Sequence, residues 1–318
     1  MSTIHPNAVE KIEILTLEDN YIDIAAMDNS DMVSRAMPLT GNLFGKSILA
    51  EHGFSAAVKI TSGDRKRTFL MDFGLSEDIV VRNGEALNFD FSQIEAVFLS
   101  HGHVDHFGGL KSVGEKIGKK GVQIVVHPSA FKTDRFVSAG SGFKIIMPTP
   151  DEAEIENAGF TIIKQTEPRT LLDGDVLYLG EIPRLSDFEQ GMPNAFFGKE
   201  GGEELDLLED DTAVVMNLSG KGLVVLSGCA HSGIINTVNY AKEITGISRV
   251  HAVMGGFHLT GRLFEPIIED TVNALKEIGP DYVIPTHCTG RKAIGRIETE
   301  MPGSFILNMA GTTITFSS

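Results

Sequence analysis

Four side chains able to ligate a metal fall within six positions in Ser100-His101-Gly102-His103-Val104-Asp105-His106-Phe107-Gly108-Gly109, and no other stretch constrains the chain as strongly. The apolar run Ala96-Val97-Phe98-Leu99 before it has the character of a buried strand, and the residues after it can start a helix. In an extended segment residues two apart share a face, so His101, His103 and Asp105 project together, while a turn at Asp105 brings His106 round to join them. Gly102, Gly108 and Gly109 allow backbone paths close to an ion. A plain polar loop with Asp105 as a helix cap explains the aspartate but not three histidines around it. Imidazole is the commonest protein metal ligand, so the stretch predicts a metal site.

At 318 residues and 42% hydrophobic content the chain can bury a sizeable core, and it reads as one large domain over 1–318. The net charge of −16 opposes binding to nucleic acid or an anionic membrane and favours a small-molecule substrate, leaving the oligomeric state open. The first ten residues lack a basic region followed by an apolar run, and no segment approaches the roughly 18 apolar residues of a membrane span, which predicts a cytoplasmic protein. The two cysteines, Cys229 and Cys288, make no disulfide framework, but each lies within two residues of a histidine.

The strand-then-histidine layout recurs along the chain. A strand over Lys11–Leu17 and a hairpin of Ala56–Thr61 with Thr68–Gly74 precede the cluster, and the hairpin's second strand carries the acid Asp72 in an apolar run. After the cluster the spacing predicts a helix from His106 to about Ile117, weakened by its glycines, and a strand over Val122–Val126. Patterning is weaker from Ser129 to Asp211. There residues 185–210 are expected to form a lid or excursion over the site, and the acidic run Gly201–Asp211 is expected to be solvated. A second hairpin, Thr212–Leu218 with Leu223–Ser227, leads into Gly228-Cys229-Ala230-His231 and a helix over Ile234–Thr245. Strands at Val250–Met254 and Tyr282–Ile284 run into His258 and His287, with a helix over Pro266–Ile278 between them, and Phe305–Leu307 and Thr312–Phe316 close the chain as short strands.

Strands ending in loops that bear His101, His103, Asp105, His106, His231, His258 and His287 can converge on one edge of a layered α/β fold. His5, His52 and the mid-strand His251 carry no such positional signal and read as surface or core residues. Imidazoles with a carboxylate suit zinc, iron or manganese rather than calcium or magnesium. Five or more ligands exceed one tetrahedral ion, so two divalent ions about 3.5–4 Å apart sharing a hydroxide are the economical expectation.

Asp72 in Met-Asp-Phe-Gly, the His-x-His-x-Asp-His element at 101–106 and the late histidines together resemble the metallo-β-lactamase superfamily over nearly the whole chain. The resemblance implies an αββα sandwich with a dinuclear site at one edge of its sheets. It implies His101 and His103 on one metal, Asp105 and His106 on the other, His231 and His287 as further ligands, and Asp72 orienting a ligand from behind. Glu18-Asp-Asn20, Glu51-His-Gly53, Gly180-Glu-Ile-Pro-Arg184, Leu226 to Gly233, Gly255-Gly-Phe-His-Leu259 and Thr286-His-Cys-Thr-Gly290 narrow the likeness. Together they look like the subgroup of 7,8-dihydropterin-6-methyl-4-(β-D-ribofuranosyl)aminobenzene 5′-phosphate synthase-like proteins. One departure stands out: Cys229 occupies the place where most of the superfamily supplies a bridging aspartate after glycine. The expected function is a metal-dependent hydrolase or related transferase that uses a metal-bound hydroxide on a small, phosphorylated or pterin-like substrate. Two zinc ions are expected first, with manganese or iron as alternatives. Asp105 and His258 are the catalytic candidates, His258 as a ligand, an acid or an anion donor, and Arg184, Thr289 and Gly290 are the candidate substrate contacts. The alternatives are a phosphodiesterase or nuclease of the same superfamily and a non-catalytic metal-dependent ligand-binding protein.

Overall fold

A computed structural model describes residues 3–37, 39–40 and 42–318; Met1 and Ser2 of the N-terminal stretch read above, with Pro38 and Gly41, lie outside it. Two mixed sheets form the centre. The first runs in the order Phe160–Lys164, Val122–Val126, Ala96–Phe98, Arg65–Met71, Ser55–Ser62, Lys11–Glu18, Thr313–Ser317 and Val33–Ser34. The second runs Arg169–Leu171, Val176–Tyr178, Ala213–Leu218, Gly222–Ser227, Val250–Gly256 and Tyr282–Thr286, with Ala8–Val9 paired to Ala213–Leu218.

Strand alternation explains how the layers stack. Phe69, Met71 and Phe98 point to one side of the first sheet and meet Val214, Met216, Val224 and Met254 from the second, forming the buried seam between the sheets. Their neighbours Leu70, Val97 and Leu99 point the other way, onto Val80, Leu110, Val113 and Ile117 of the helices outside. The second sheet repeats the pattern, with Val215, Val225, Val253 and Val283 facing Ile234, Val238, Val272, Leu275 and Ile297. Helix, sheet, sheet and helix are therefore stacked as an αββα sandwich, each apolar face covered by the next layer.

The helix expected over His106–Ile117 is two helices, Val104–Phe107 and Leu110–Ile117. The break falls at Gly109 (φ −86°, ψ 5°), where the His106 carbonyl accepts the Phe73 N–H at 2.7 Å, and the Phe73–Leu75 backbone lies so close that a Cβ at Gly108 would overlap the Leu75 carbonyl oxygen. Phe305–Leu307 is not a strand: Phe305 makes a single parallel bridge to Val283. Among the weakly patterned residues, Lys144–Ile146, Arg135–Ser138, Ala195–Lys199 and Gly202–Leu205 form a separate four-stranded antiparallel sheet that includes part of the expected excursion. The helix Arg291–Glu300 had no sequence expectation, since its charged residues mask the buried pair Ala293 and Ile297. Among the described residues no helix is long and apolar enough to cross a membrane.

Two glycine substitutions should separate close packing from helix propensity. Gly108→Ala is expected to lower unfolding free energy in urea by about 1–3 kcal/mol through overpacking. Gly295→Ala, inside the Arg291–Glu300 helix with open space around the new methyl, is expected to raise it by about 0.5–1 kcal/mol. Equal effects of the two changes would refute the packing account.

Candidate metal centre

The site is assembled at the ends of six strands, and its first anchor is Asp72. Asp72 stands directly after the strand Arg65–Met71 with a left-handed backbone (φ 60°), which turns its carboxylate into the gap between the sheets. Oδ1 accepts the Ser100 backbone N–H at 2.7 Å, and Oδ2 accepts the Ser100 hydroxyl at 2.7 Å and His106 Nδ1 at 2.7 Å. With its proton committed to Asp72, the Ser100 oxygen can accept from His101 Nδ1 at 2.9 Å. Both imidazoles are thus held by Nδ1–H, and their Nε2 atoms point forward. Gly228 completes the fit, because a side chain there would overlap the Ser100 hydroxyl.

His287 is oriented in the same way from the other sheet. Its backbone N–H donates to Asp19 Oδ1 at 2.8 Å and its Nδ1 pairs with Asn20 Oδ1 at 3.0 Å, again freeing Nε2. His103 differs in turning Nδ1 inward.

Two donor sets result. His231 Nε2 lies 3.2 Å from His101 Nε2 and 3.1 Å from His103 Nδ1, all three rings being buried. Beside them, His106 Nε2 is 3.1 Å from Cys229 Sγ and 3.9 Å from Asp105 Oδ2, which is 3.2 Å from His287 Nε2. The Cys229 sulfur belongs to both neighbourhoods, and to a third with His258 and Cys288, within which donor atoms lie no more than 4.8 Å apart.

The donor chemistry fits a cation. Burial pushes His101 and His231 well below the ordinary histidine range and His103 down to about 4, so these rings are neutral at pH 7. Nitrogens carrying lone pairs would then face one another at 3.1–3.2 Å. A tetrahedral ion with zinc–nitrogen bonds of about 2.0–2.1 Å spaces its ligands by about 3.3–3.4 Å, close to what is found. Burial also works to lower His106, but the Asp72 and Asp105 carboxylates outweigh it and push the ring up to about 9. Burial likewise works to raise Asp105, but His106 and His287 hold it below the usual carboxylate range.

All six residues expected as ligands, His101, His103, Asp105, His106, His231 and His287, come together here, with Asp72 behind them and Cys229 between them. His258 stands at the edge, its ring 4.2 Å from that of His231 and 4.4 Å from that of Phe264, with Nδ1 buried and unpartnered. Arg184 donates from Nη2 to the carbonyls of Leu207 and Leu208, near enough for its charge to act on His231 and Asp211. The Thr289 hydroxyl is committed to protein, accepting from Phe257 N at 2.9 Å, whereas Gly290 lines a cavity at the start of the Arg291–Glu300 helix.

Sequence reasoning missed three groups. In sequence His52 carries the signal of a surface or core residue; its ring is exposed, yet Nε2 lies 3.6 Å from Asp105 Oδ2 and the ring centre 4.8 Å from that of His287. Its place in Glu51-His-Gly53, one of the stretches that carry the family likeness, is the available signal. Asn20 had the same kind of signal in Glu18-Asp-Asn20. The acidic run read as solvated ends in Asp206, Asp210 and Asp211, all of them buried; only its earlier acids, such as Glu203 and Glu204, are exposed.

The fold and this histidine-rich edge place the chain in the metallo-beta-lactamase superfamily, whose family model matches residues 53–216. Within that class, the chain is 31% identical over 303 residues to the 7,8-dihydropterin-6-methyl-4-(beta-D-ribofuranosyl)-aminobenzene-5′-phosphate synthase of Methanocaldococcus jannaschii, covering 93% of this chain and 99% of that one. An uncharacterized protein of the same archaeon is 32% identical over 262 residues, covering 81% of this chain and 92% of that one. Among solved structures, Tm1679, described as a metal-dependent hydrolase of the beta-lactamase superfamily, superposes with a TM-score of 0.73 at 26% identity, over 96% of this chain and 100% of that one.

Asp72→Asn tests the anchor. The substitution keeps the shape but gives His106 Nδ1 a weaker acceptor, and is expected to lower affinity for a divalent ion by about 10–100-fold in competition with a chromophoric chelator. Unchanged affinity would remove Asp72 from the centre's support.

Proposed function

We propose that the chain is a metal-dependent enzyme, a hydrolase or related group transferase, acting on a small phosphorylated or pterin-like substrate. Two divalent ions, zinc before manganese or iron, are assigned to His101, His103 and His231 and to Asp105, His106 and His287, with Cys229 between the sets. The observation that carries this reading is the confrontation of buried donor atoms from both halves of the chain at coordination spacing. A cysteine sulfur between the sets, which would be a thiolate only with an ion bound, favours zinc or iron over magnesium or calcium. Bound at such a site, ions act as Lewis acids and lower the pKa of a coordinated water to about 7.

The chain's own groups supply the rest. Asp72, Ser100 and Asn20 fix the tautomers of His106, His101 and His287 before any ligand arrives, so little reorganisation is needed. His258 is assigned the proton-transfer role, since its unpartnered Nδ1 and its place beside His231 let it hold or release a proton at the edge of the centre. Next to it lies a cavity of about 170 Å³ lined by Phe188, Phe257, Leu263, Phe264, His231 and His258. Its aromatic walls and size suit one flat heterocycle rather than a polymer. Arg184 is the proposed partner for the substrate's anionic group, with Gly290 a second contact from the other side. The pterin and the phosphate in the relative's name agree with a ring slot and an anion contact, and the chain's acidity argues against a nucleic acid substrate. A cytoplasmic location is consistent with such a substrate.

Metal content and turnover test this reading together. Protein purified without chelators is expected to carry about two equivalents of divalent metal per chain. It should hydrolyse bis(p-nitrophenyl) phosphate, lose that activity to a chelator and regain it with zinc or manganese. His103→Ala combined with His106→Ala should abolish both metal and turnover. Well under one equivalent in the wild type would refute the dinuclear reading, and two equivalents without turnover of this ester or of a dihydropterin phosphate would favour a ligand-binding protein.

A further inference from the structure

Between the two donor-bearing halves runs a segment, Asp206 to Thr212, that none of the assignments above uses. Its polar atoms reach into both halves. Asp210 Oδ2 accepts the backbone N–H of Gly102 at 2.8 Å, and Gly102 is the residue between His101 and His103. Asp211 Oδ2 accepts the backbone N–H of Ser232 at 2.8 Å, the residue directly after His231. Thr212 N donates to the Ser100 carbonyl at 3.1 Å. Three consecutive residues therefore tie the loop carrying His101 and His103 to the loop carrying His231, 128 positions apart in the chain.

The segment is itself held rigidly. Arg135, 1% exposed, donates from Nη2 to Asp210 Oδ1 at 2.7 Å and from Nη1 to Oδ2 at 3.0 Å, and its Nε pairs with Asp206 Oδ2 at 2.8 Å. A planar guanidinium gripping two carboxylates in this way fixes angles as well as distances. Asp206, Asp210 and Asp211 are all buried, which is costly for carboxylates unless each is paired or used. Asp206 and Asp210 are paired by Arg135. Asp211 is hydrogen-bonded only through Oδ2, while Oδ1 is buried with no partner, so charge alone is a poor reason for its presence.

We infer that Asp210 and Asp211 are positioning residues for the His101, His103 and His231 donor set, setting the spacing of the three nitrogens by holding both loops to one two-residue unit clamped by Arg135. Adjacent Cα atoms are separated by about 3.8 Å, so the two anchored amides cannot drift apart without breaking one of the bonds. Neither aspartate touches the reacting atoms. The inference rests on the metal-centre reading above, and its test reads metal loading rather than catalysis.

Metal-free full-length protein is titrated with cobalt(II), following the visible absorption of the bound ion, and unfolding in urea is recorded for the same samples. Asp211→Ala is expected to weaken one of the two binding steps by about 10–100-fold and leave the other unchanged. In a His287→Ala background, where the histidine triad is the only complete set, the same change should leave no tightly held ion. Asp211→Asn, which retains an acceptor for Ser232 N, should restore most of the lost affinity. Asp211→Glu keeps the charge but moves the acceptor, and should lose the same step even if the alanine variant does not fold. A merely structural role would weaken both steps alike, in proportion to lost stability, and the asparagine variant would not rescue one selectively; either result overturns the inference. So does wild-type loading of both ions by Asp211→Ala or Asp211→Glu. A wild type that takes up no cobalt overturns the metal centre, and this role with it, whereas a wild type that loads two ions confines any failure to the aspartates.

Discussion

The carboxylate of Asp72 is the interaction on which the rest of the site depends. Its two oxygens receive a backbone N–H, a hydroxyl and an imidazole within 2.7 Å, all from the segment that follows the neighbouring parallel strand. A buried carboxylate with that many donors is well compensated, and it turns the end of one strand into the reference point for the histidines of the next. The constraint propagates across the sheets. Because Ser100 and Asp72 project into the gap, the opposing residue must be Gly228, and Cys229 then enters where a larger acidic side chain would sit against His106. The sulfur reaches all three groups of donors from that place.

Parts of this were legible in the sequence because their physical determinants are local. The six-residue histidine motif carries its own spacing, and the strand preceding it is a short apolar run. His231, His258 and His287 were found by position, since each follows a strand and strand ends of a layered fold share an edge. The helix Ile234–Thr245 was read to its ends because Gly246 adopts the left-handed conformation that closes it. What escaped depends on tertiary contact. Asp210 and Asp211 belong to a run whose composition resembles a solvated loop, and only the fold reveals that Arg135, 75 residues away from Asp210, meets them in the interior. His52 lacks a preceding strand that would have marked it, yet the fold sets it against Asp105 and His287. The split of the helix at Gly109 is likewise a matter of where the Phe73–Leu75 backbone lies.

The electrostatic design separates the surface from the centre. The chain carries 43 acidic against 27 basic residues, and inside it the neutral imidazoles of His101, His103 and His231 offer lone pairs without added positive charge. The Asp105, Asp72 and Asp211 carboxyl groups stand close to the donors, a setting that favours cations at the centre, while the chain's acidic excess opposes anions elsewhere on the surface. Arg184, whose charge acts on His231 and Asp211, interrupts this acidity at the edge of the centre.

Part of the backbone strain lies at the same edge. Asp72, Ala230, His258 and His287 all have positive φ, between 44° and 60°, although none is glycine. Each such residue costs on the order of 1–3 kcal/mol and persists only where surrounding structure dictates it. Here that structure is identifiable: Asp72 is held by Ser100 and His106, His287 by Asp19 and Asn20, and the loop of Ala230 by Asp211 through Ser232. The three apolar layers are built from side chains other than the donors, and Phe73, Ala230 and Phe257 carry them up to these turns. An ion that binds only this arrangement of donors adds its binding free energy to the native state by mass action. The fold bears the cost of the strained edge, and in return the donors stand ready at coordination spacing.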